Sequence, residues 1–332
     1  MAEEVLPWVE KHRPTKIDDI CTDPNVVGQL KQMIKNKNIK NMLFEGAPGV
    51  GKTTMARCVA REVFGKYWEK KTMEINASDD RGAKLHNSIA MFSKTYVRTD
   101  PQEGEMPQFK IVILDEADNM TDKAKNSIVR MMETQETYIR FILTCNTRKN
   151  ISVAVQSHCH IILFPKLDAS LVKKRLHEIC LKENVYSGNV KEEIDGGLDV
   201  VSSFSGGDLR VGINTLQLTY NKNGTVRSDE VQANHDLPHP LMLLEMLNFC
   251  IGRNIVGANN VAKKMRKLGY SVEDRVFGLS LLLRQEITKK IPDECKIKLL
   301  EEIGKTQYNI SHGLEMSEVQ MYACIADMCS AM

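Results

Sequence analysis

The sequence predicts an α/β fold built on a parallel sheet, followed by an all-helical region. Short continuous apolar runs alternate with helical stretches through the first half of the chain. That is the pattern of strands covered on both faces. A Gly-rich turn follows the first run and opens into a helix. After Pro165 the strand-like runs stop and only helical periodicity remains.

The first apolar run is residues 41–45, and residues 53–64 read as the helix after the turn. Lys110-Ile111-Val112-Ile113-Leu114 is a second run, ending in Asp115 and Glu116. Arg140-Phe141-Ile142-Leu143-Thr144 is a third, and His160-Ile161-Ile162-Leu163-Phe164 a fourth, closed by Pro165. Strands alternating with helices imply a parallel sheet. Beyond Asp168, Leu209, Ile213, Leu216 and Tyr220 fall at helical spacing, as do Leu243, Met246, Leu247 and Cys250. Val272, Val276, Leu279, Leu283 and Ile287 form a longer stripe. Each stripe reads as core packing. Residues 221–240 are polar, with Gly224, Pro238 and Pro240, and read as a linker. The expected domains are therefore 1–166 (α/β), 167–233 (small, helical) and 234–332 (all-helical).

A chain of 332 residues exceeds one ordinary core and suggests two or three domains. At 42% apolar and 27% charged, the composition is that of a soluble globular protein. A net charge of +2 leaves contact with nucleic acid to a local basic face. Nine cysteines are scattered singly without a C-x-x-C pair, which argues against structural zinc and for a reducing, intracellular compartment. The opening Met1-Ala2-Glu3-Glu4 has no apolar leader, and no run is long enough to span a bilayer, so no membrane association is expected.

Gly46-Ala47-Pro48-Gly49-Val50-Gly51-Lys52-Thr53 fits G-x-x-x-x-G-K-[ST]. Its glycines let backbone N–H groups curl around phosphate oxygens. Lys52 offers a cation to the β and γ phosphates, and the Thr53 hydroxyl, with Thr54 beside it, suits Mg²⁺. The positive end of the following helix faces the anion. Asp115, at a strand tip, is expected to reach the same metal, and Glu116 to polarise the attacking water. Asn146 follows the next strand and is a candidate to hold the water or the γ-phosphate. Ser205-Gly206-Gly207-Asp208 resembles a helix start capped by Asp208. Arg210 then falls in the first turn, where a cation is disfavoured unless an anion lies nearby. Bound phosphate would remove that penalty.

Several segments resemble the replication factor C small subunits: Leu6-Pro7-Trp8-Val9-Glu10-Lys11-His12-Arg13-Pro14, Asn76-Ala77-Ser78-Asp79-Asp80-Arg81-Gly82, the Asp115 to Asp118 run, Cys145-Asn146, Gly206-Gly207-Asp208-Leu209-Arg210, Pro238-His239-Pro240-Leu241 and Glu302-Ile303-Gly304. They occur in order over essentially the whole chain. The resemblance implies a RecA-like AAA+ domain, a helical lid and a C-terminal collar joining five subunits. It implies ATP and Mg²⁺ as cofactors, and a hetero-pentameric loader that opens a sliding clamp and places it on primer–template DNA. It also implies Val9 and Arg13 on the adenine side, Asn146 as sensor 1, Arg210 as sensor 2 and, for the eukaryotic type, a nuclear location, with the cytoplasm as alternative.

Three departures stand out. Ser157-His158-Cys159 replaces the family's Ser-Arg-Cys, whose Arg enters the neighbouring subunit's ATP site. Histidine lacks the forked donors and constant charge of arginine, so His158 is expected to do little as a finger. Arg130 and Arg148 are the candidates to compensate. Ala83-Lys84-Leu85-His86-Asn87 lacks a basic residue usual in the family, leaving Arg81 and Lys84 as candidates for DNA phosphates. Ala47 and Val50 replace the loop's usual Pro and Thr, and His12 the usual Tyr. The expectation is an ATPase subunit of a clamp loader. The alternatives are a structural or regulatory subunit of the same ring with little turnover, or another AAA+ DNA-processing machine.

Overall fold

The computed structural model describes residues 6–36, 38–77, 83–97, 107–135, 137–186, 190–233, 238, 240–283, 291–313 and 318–332, with only the backbone at 83–84 and 232–233. The chain divides into two compact units, Met1–Ser228 and Asp229–Met332.

In the first unit, among the described residues, five parallel strands form one sheet: β1 (Met42–Gly46), β2 (Thr72–Asn76), β3 (Lys110–Asp115), β4 (Ile139–Cys145) and β5 (His160–Phe164). Their order is β2-β3-β4-β1-β5. The apolar runs read from the sequence are β1, β3, β4 and β5. Ile111 through Leu114 and Phe141 through Leu143 are fully buried, which is why those stretches carry no alternation. Edge strand β2, Thr-Met-Glu-Ile-Asn, is only partly covered, so it carries no continuous apolar run to betray it.

Register brings the strand tips together. Glu45 pairs with Cys145 and Gly46 with Phe164 across β1, while Asn76 pairs with Asp115 across β2 and β3. The chain leaves β1 for the far edge of the sheet, so β1 lies at a topological switch point, where open α/β sheets bind ligands.

Helix α1 (Trp8–Lys11) and α2 (Pro24–Lys35) precede β1. Pro24 opens α2, and the Asp23 carboxylate accepts the Asn25 N–H at 2.8 Å. Helix α3 (Lys52–Phe64) starts at Gly51, whose φ of +94° suits glycine, and buries Met55, Val59 and Phe64. Helices α4 (Trp68–Lys71), α5 (Ala83–Lys94), α6 (Asp122–Thr134) and α7 (Val153–Ser157) follow in turn. Helices α8 (Ala169–Lys182), α9 (Lys191–Ser205) and α10 (Leu209–Asn223) pack on one another. Gly206 and Gly207, at φ +55° and +89°, turn the chain between α9 and α10. A Cβ on Gly207 would stand 2.7 Å from the Leu167 carbonyl oxygen.

The segment read as a linker is partly ordered: α10 runs to Asn223, and α11 (Ser228–Ala233) lies inside it. The reason is a pair of isolated apolar anchors, Val226 and Val231, both fully buried.

The second unit contains α12 (Pro240–Ile251), α13 (Ile255–Lys267), α14 (Val272–Leu283), α15 (Asp293–Ser311) and α16 (Glu318–Ala331). The stripe residues Leu243, Met246, Leu247, Cys250, Val276 and Leu279 meet in one core with Ile325 and Met328. Arg275, 1% exposed, donates to the Ser271 and Ala262 carbonyls and pairs with Glu318. All nine cysteines are free thiols. No helix among the described residues is long and apolar enough to cross a membrane.

Candidate active site

The turn after β1 carries a buried lysine. Lys52 is 9% exposed, and its ammonium donates to the carbonyls of Gly46 (2.7 Å) and Ala47 (2.8 Å) and to Asn146 Oδ1 (3.1 Å). Burial pulls its pKa below the ordinary lysine value; Cys145, Asp115 and Asp118 pull it back, while Arg210 adds to the fall. A cation held this way is short of counter-charge, which a polyanion would supply.

The tips of β3 and β4 complete the opposite wall. Thr53 Oγ1 donates to Asp115 Oδ1 at 2.9 Å, and the Thr144 hydroxyl donates to the same oxygen. The Glu116 N–H donates to Thr144 Oγ1 at 3.3 Å. Glu116 holds φ +54°, a left-handed conformation that costs an ordinary residue about 1–2 kcal/mol. That turn releases its side chain from the strand direction, and Asn119 Nδ2 donates to its carboxylate at 3.3 Å. Asp118 Oδ2 accepts the Asn146 N–H at 3.2 Å, fixing the residue whose side chain meets Lys52.

A cleft of about 1090 Å³, its open mouth included, joins these groups. Val9, Arg13, Pro48, Gly49, Val50, Gly51, Lys52, Thr53, Thr54, Asp115, Glu116, Asn146 and Arg210 all line it. The residues expected at the nucleotide therefore line one cleft, apart from Gly46 and Ala47, whose carbonyls accept from Lys52.

A further wall comes from α10. Asp208 caps it, accepting the N–H groups of Arg210 (2.9 Å) and Val211 (3.1 Å), as the sequence predicts. The Leu209 N–H donates to the Gly49 carbonyl at 3.3 Å. A Cβ on Gly49, whose φ is +70°, would stand 1.8 Å from Asp208 Oδ1, so the helix start rests directly on the Gly-rich turn.

The residues fit a nucleoside triphosphate with a magnesium ion. The donor set of Thr53 hydroxyl and Asp115 carboxylate is all oxygen, as a hard cation requires. Asp118 Oδ1 and Arg13 Nε are buried and, among the described residues, have no hydrogen-bond partner.

Other expected residues lie elsewhere. His158 is the C-cap of α7, with Nε2 3.3 Å from Glu133 Oε1, and does not line the cleft. Arg148 is held by Glu45, through its N–H at 3.0 Å and its side chain at 3.5 Å. Arg130 is exposed on α6. Arg81 lies outside the described residues, and of Lys84 only the backbone, in the first turn of α5, is described. Sequence reasoning missed Thr144, Asp118 as the clamp on Asn146, Arg175 and Glu183. Of these, Thr144 carries a signal, as a polar residue near the end of an apolar strand.

Residues 42–167 match the ATPase family associated with various cellular activities, and residues 238–327 match the replication factor C C-terminal domain. The chain is 34% identical over 320 residues to the replication factor C small subunit of Archaeoglobus fulgidus, covering 96% of each. It is 34% identical over 311 residues to replication factor C subunit 4 of Saccharomyces cerevisiae, covering 93% of this chain and 91% of that one. Among solved structures it is similar to the RuvB Holliday junction branch migration motor of Thermotoga maritima, with a TM-score of 0.52 over 72% of this chain and 79% of that one. At 16% identity, that likeness concerns the fold alone.

Proposed function

The chain belongs to the replication factor C small-subunit family and is an AAA+ ATPase subunit of a clamp loader, and we propose that its own cleft binds ATP and hydrolyses it to drive loading of a sliding clamp onto primer–template DNA. The observation that carries this reading is the convergence of Lys52, Thr53, Asp115 and Asn146 at one set of strand tips.

In this reading, backbone N–H groups of residues 46–53 cradle the phosphates, and Lys52 neutralises the β and γ oxygens. Thr53 and Asp115 hold magnesium, which supplies charge neutralisation on the phosphates when bound. Glu116 accepts a proton from the attacking water, while Asn146, fixed by Asp118 and Lys52, orients water or γ-phosphate. Arg210, in the first turn of the helix that rests on Gly49, brings a cation to the same anion and couples its presence to the lid. Val9 and Arg13 face the base.

In this reading residues 167–233 are the lid and 234–332 the collar of a hetero-pentamer, with Arg81 and Lys84 following DNA phosphates. Nuclear action rests on the likeness to the Saccharomyces cerevisiae relative. A subunit with low power to activate its neighbour is the second reading, and the His158–Glu133 contact favours it. Even a protonated imidazole there meets a carboxylate of its own chain, at 3.3 Å.

Glu116→Gln separates binding from chemistry. In the assembled loader, ATP affinity should hold while this site's turnover falls about 10²–10⁴-fold, as expected for loss of a general base. Unchanged turnover from this site would remove Glu116 from its role.

A further inference from the structure

We infer that Glu183 is the positioning residue for the base half of this nucleotide site, an inference that rests on the ATP reading. The phosphate half is set by the loop and strand tips. Much of the remaining cleft wall is apolar, from Val9, Pro14, Ile20, Leu209 and Ile213, and suits a flat heterocycle.

One of those residues, Val9, hangs on a very short element. Helix α1 has four residues and no side-chain cap, too few to hold a helix by itself. Its position comes from tertiary contacts, and α8 and α10 supply them. The Trp8 N–H donates to Gln217 Oε1 at 2.9 Å, and the Trp8 and Tyr220 rings lie 5.7 Å apart. Arg175 Nη2 donates to the His12 carbonyl at 2.9 Å.

Glu183 gathers the rest. Its carboxylate takes Lys11 Nζ at 2.7 and 2.9 Å and His12 Nε2 at 2.5 Å. The two partners lie in the chain between Val9 and Arg13, so their contacts with Glu183 pin the backbone that presents both to the cleft.

The placement is electrostatically unfavourable without those partners. Glu183 is the C-cap of α8, where the helix dipole disfavours an anion, and its side chain is only 13% exposed. Partial burial works against its charge, but the hydrogen bonds from Lys11 and His12 outweigh that and hold its pKa below the usual carboxylate range.

The test measures ATP and inorganic tripolyphosphate binding to the full chain by calorimetry. The variants are Glu183→Ala, its isosteric counterpart Glu183→Gln, His12→Ala and the double variant of His12→Ala with Glu183→Ala. Glu183→Ala should weaken ATP about ten- to hundredfold, the loss of charge-assisted hydrogen bonds, and leave tripolyphosphate unchanged. Glu183→Gln should weaken ATP less, in the same direction. The double variant should be no worse than Glu183→Ala, because both changes break one contact. Equal losses for ATP and tripolyphosphate in Glu183→Gln, or no loss of ATP in either Glu183 variant, would overturn the inference while leaving the ATP site intact. A wild-type chain that binds neither ligand would overturn the ATP reading and this inference together.

Discussion

Thr144 shows how much one hydroxyl can organise. It is 1% exposed, donates to the Asp115 carboxylate proposed to hold the metal and accepts the N–H of Glu116, the proposed base. Thr144→Val keeps the shape and removes both bonds. The Glu116 N–H is then left without its acceptor, at a cost of about 1–3 kcal/mol. Turnover at this site should fall about ten- to hundredfold with ATP affinity little changed, and Thr144→Ser should restore it. Equal activity of the Val and Ser variants in a steady-state assay of the assembled loader would show that the hydroxyl has no part in holding Glu116. Nothing in residue type alone marks this threonine. It closes an apolar strand, and only the register of β4 against β3 brings it to Asp115.

At the scale of elements, the contact between α10 and the Gly-rich turn is the one through which the proposed coupling of phosphate to lid would act. Asp208 occupies the space that a side chain at 49 would fill. Gly49→Ala combines left-handed strain with that clash, so unfolding stability should fall by about 1–3 kcal/mol and ATP affinity with it. Adding Asp208→Ala should recover part of both losses, because it vacates the space; fully additive losses in thermal unfolding and calorimetry would contradict the contact. The sequence displayed the turn, the Asp208 cap and the position of Arg210, because cap and loop chemistry are local in the chain. It also displayed the central strands, because burial on both faces leaves continuous apolar runs. Edge strand β2 was hidden by its partial exposure, and the order in α11 was hidden because two buried valines form no periodic stripe. Arg175 and Glu183 were illegible for a different reason. Their partners, His12 and Lys11, lie some 160 residues or more earlier in the chain, at separations of 163 and 172.

At the scale of the whole molecule, each unit has its own logic. The first gathers a parallel sheet, a Gly-rich turn and helices α8 and α10 around one cleft, and the second is a helical unit with a separate core. Everything proposed for the first depends on a triphosphate settling between residues 46–53 and the tips of β3 and β4. The direct measurement is a saturating ATP titration in Mg²⁺ on the assembled loader, with occupancy of this subunit read by nucleotide crosslinking and compared with Lys52→Ala. Stoichiometric labelling of this subunit is predicted for the wild type. Lys52→Ala should weaken binding about ten- to hundredfold, since a charged hydrogen bond to the phosphates is lost. A wild-type subunit that stays unlabelled at saturation, or a Lys52→Ala subunit labelled over the same range of ATP concentration as the wild type, would contradict the account.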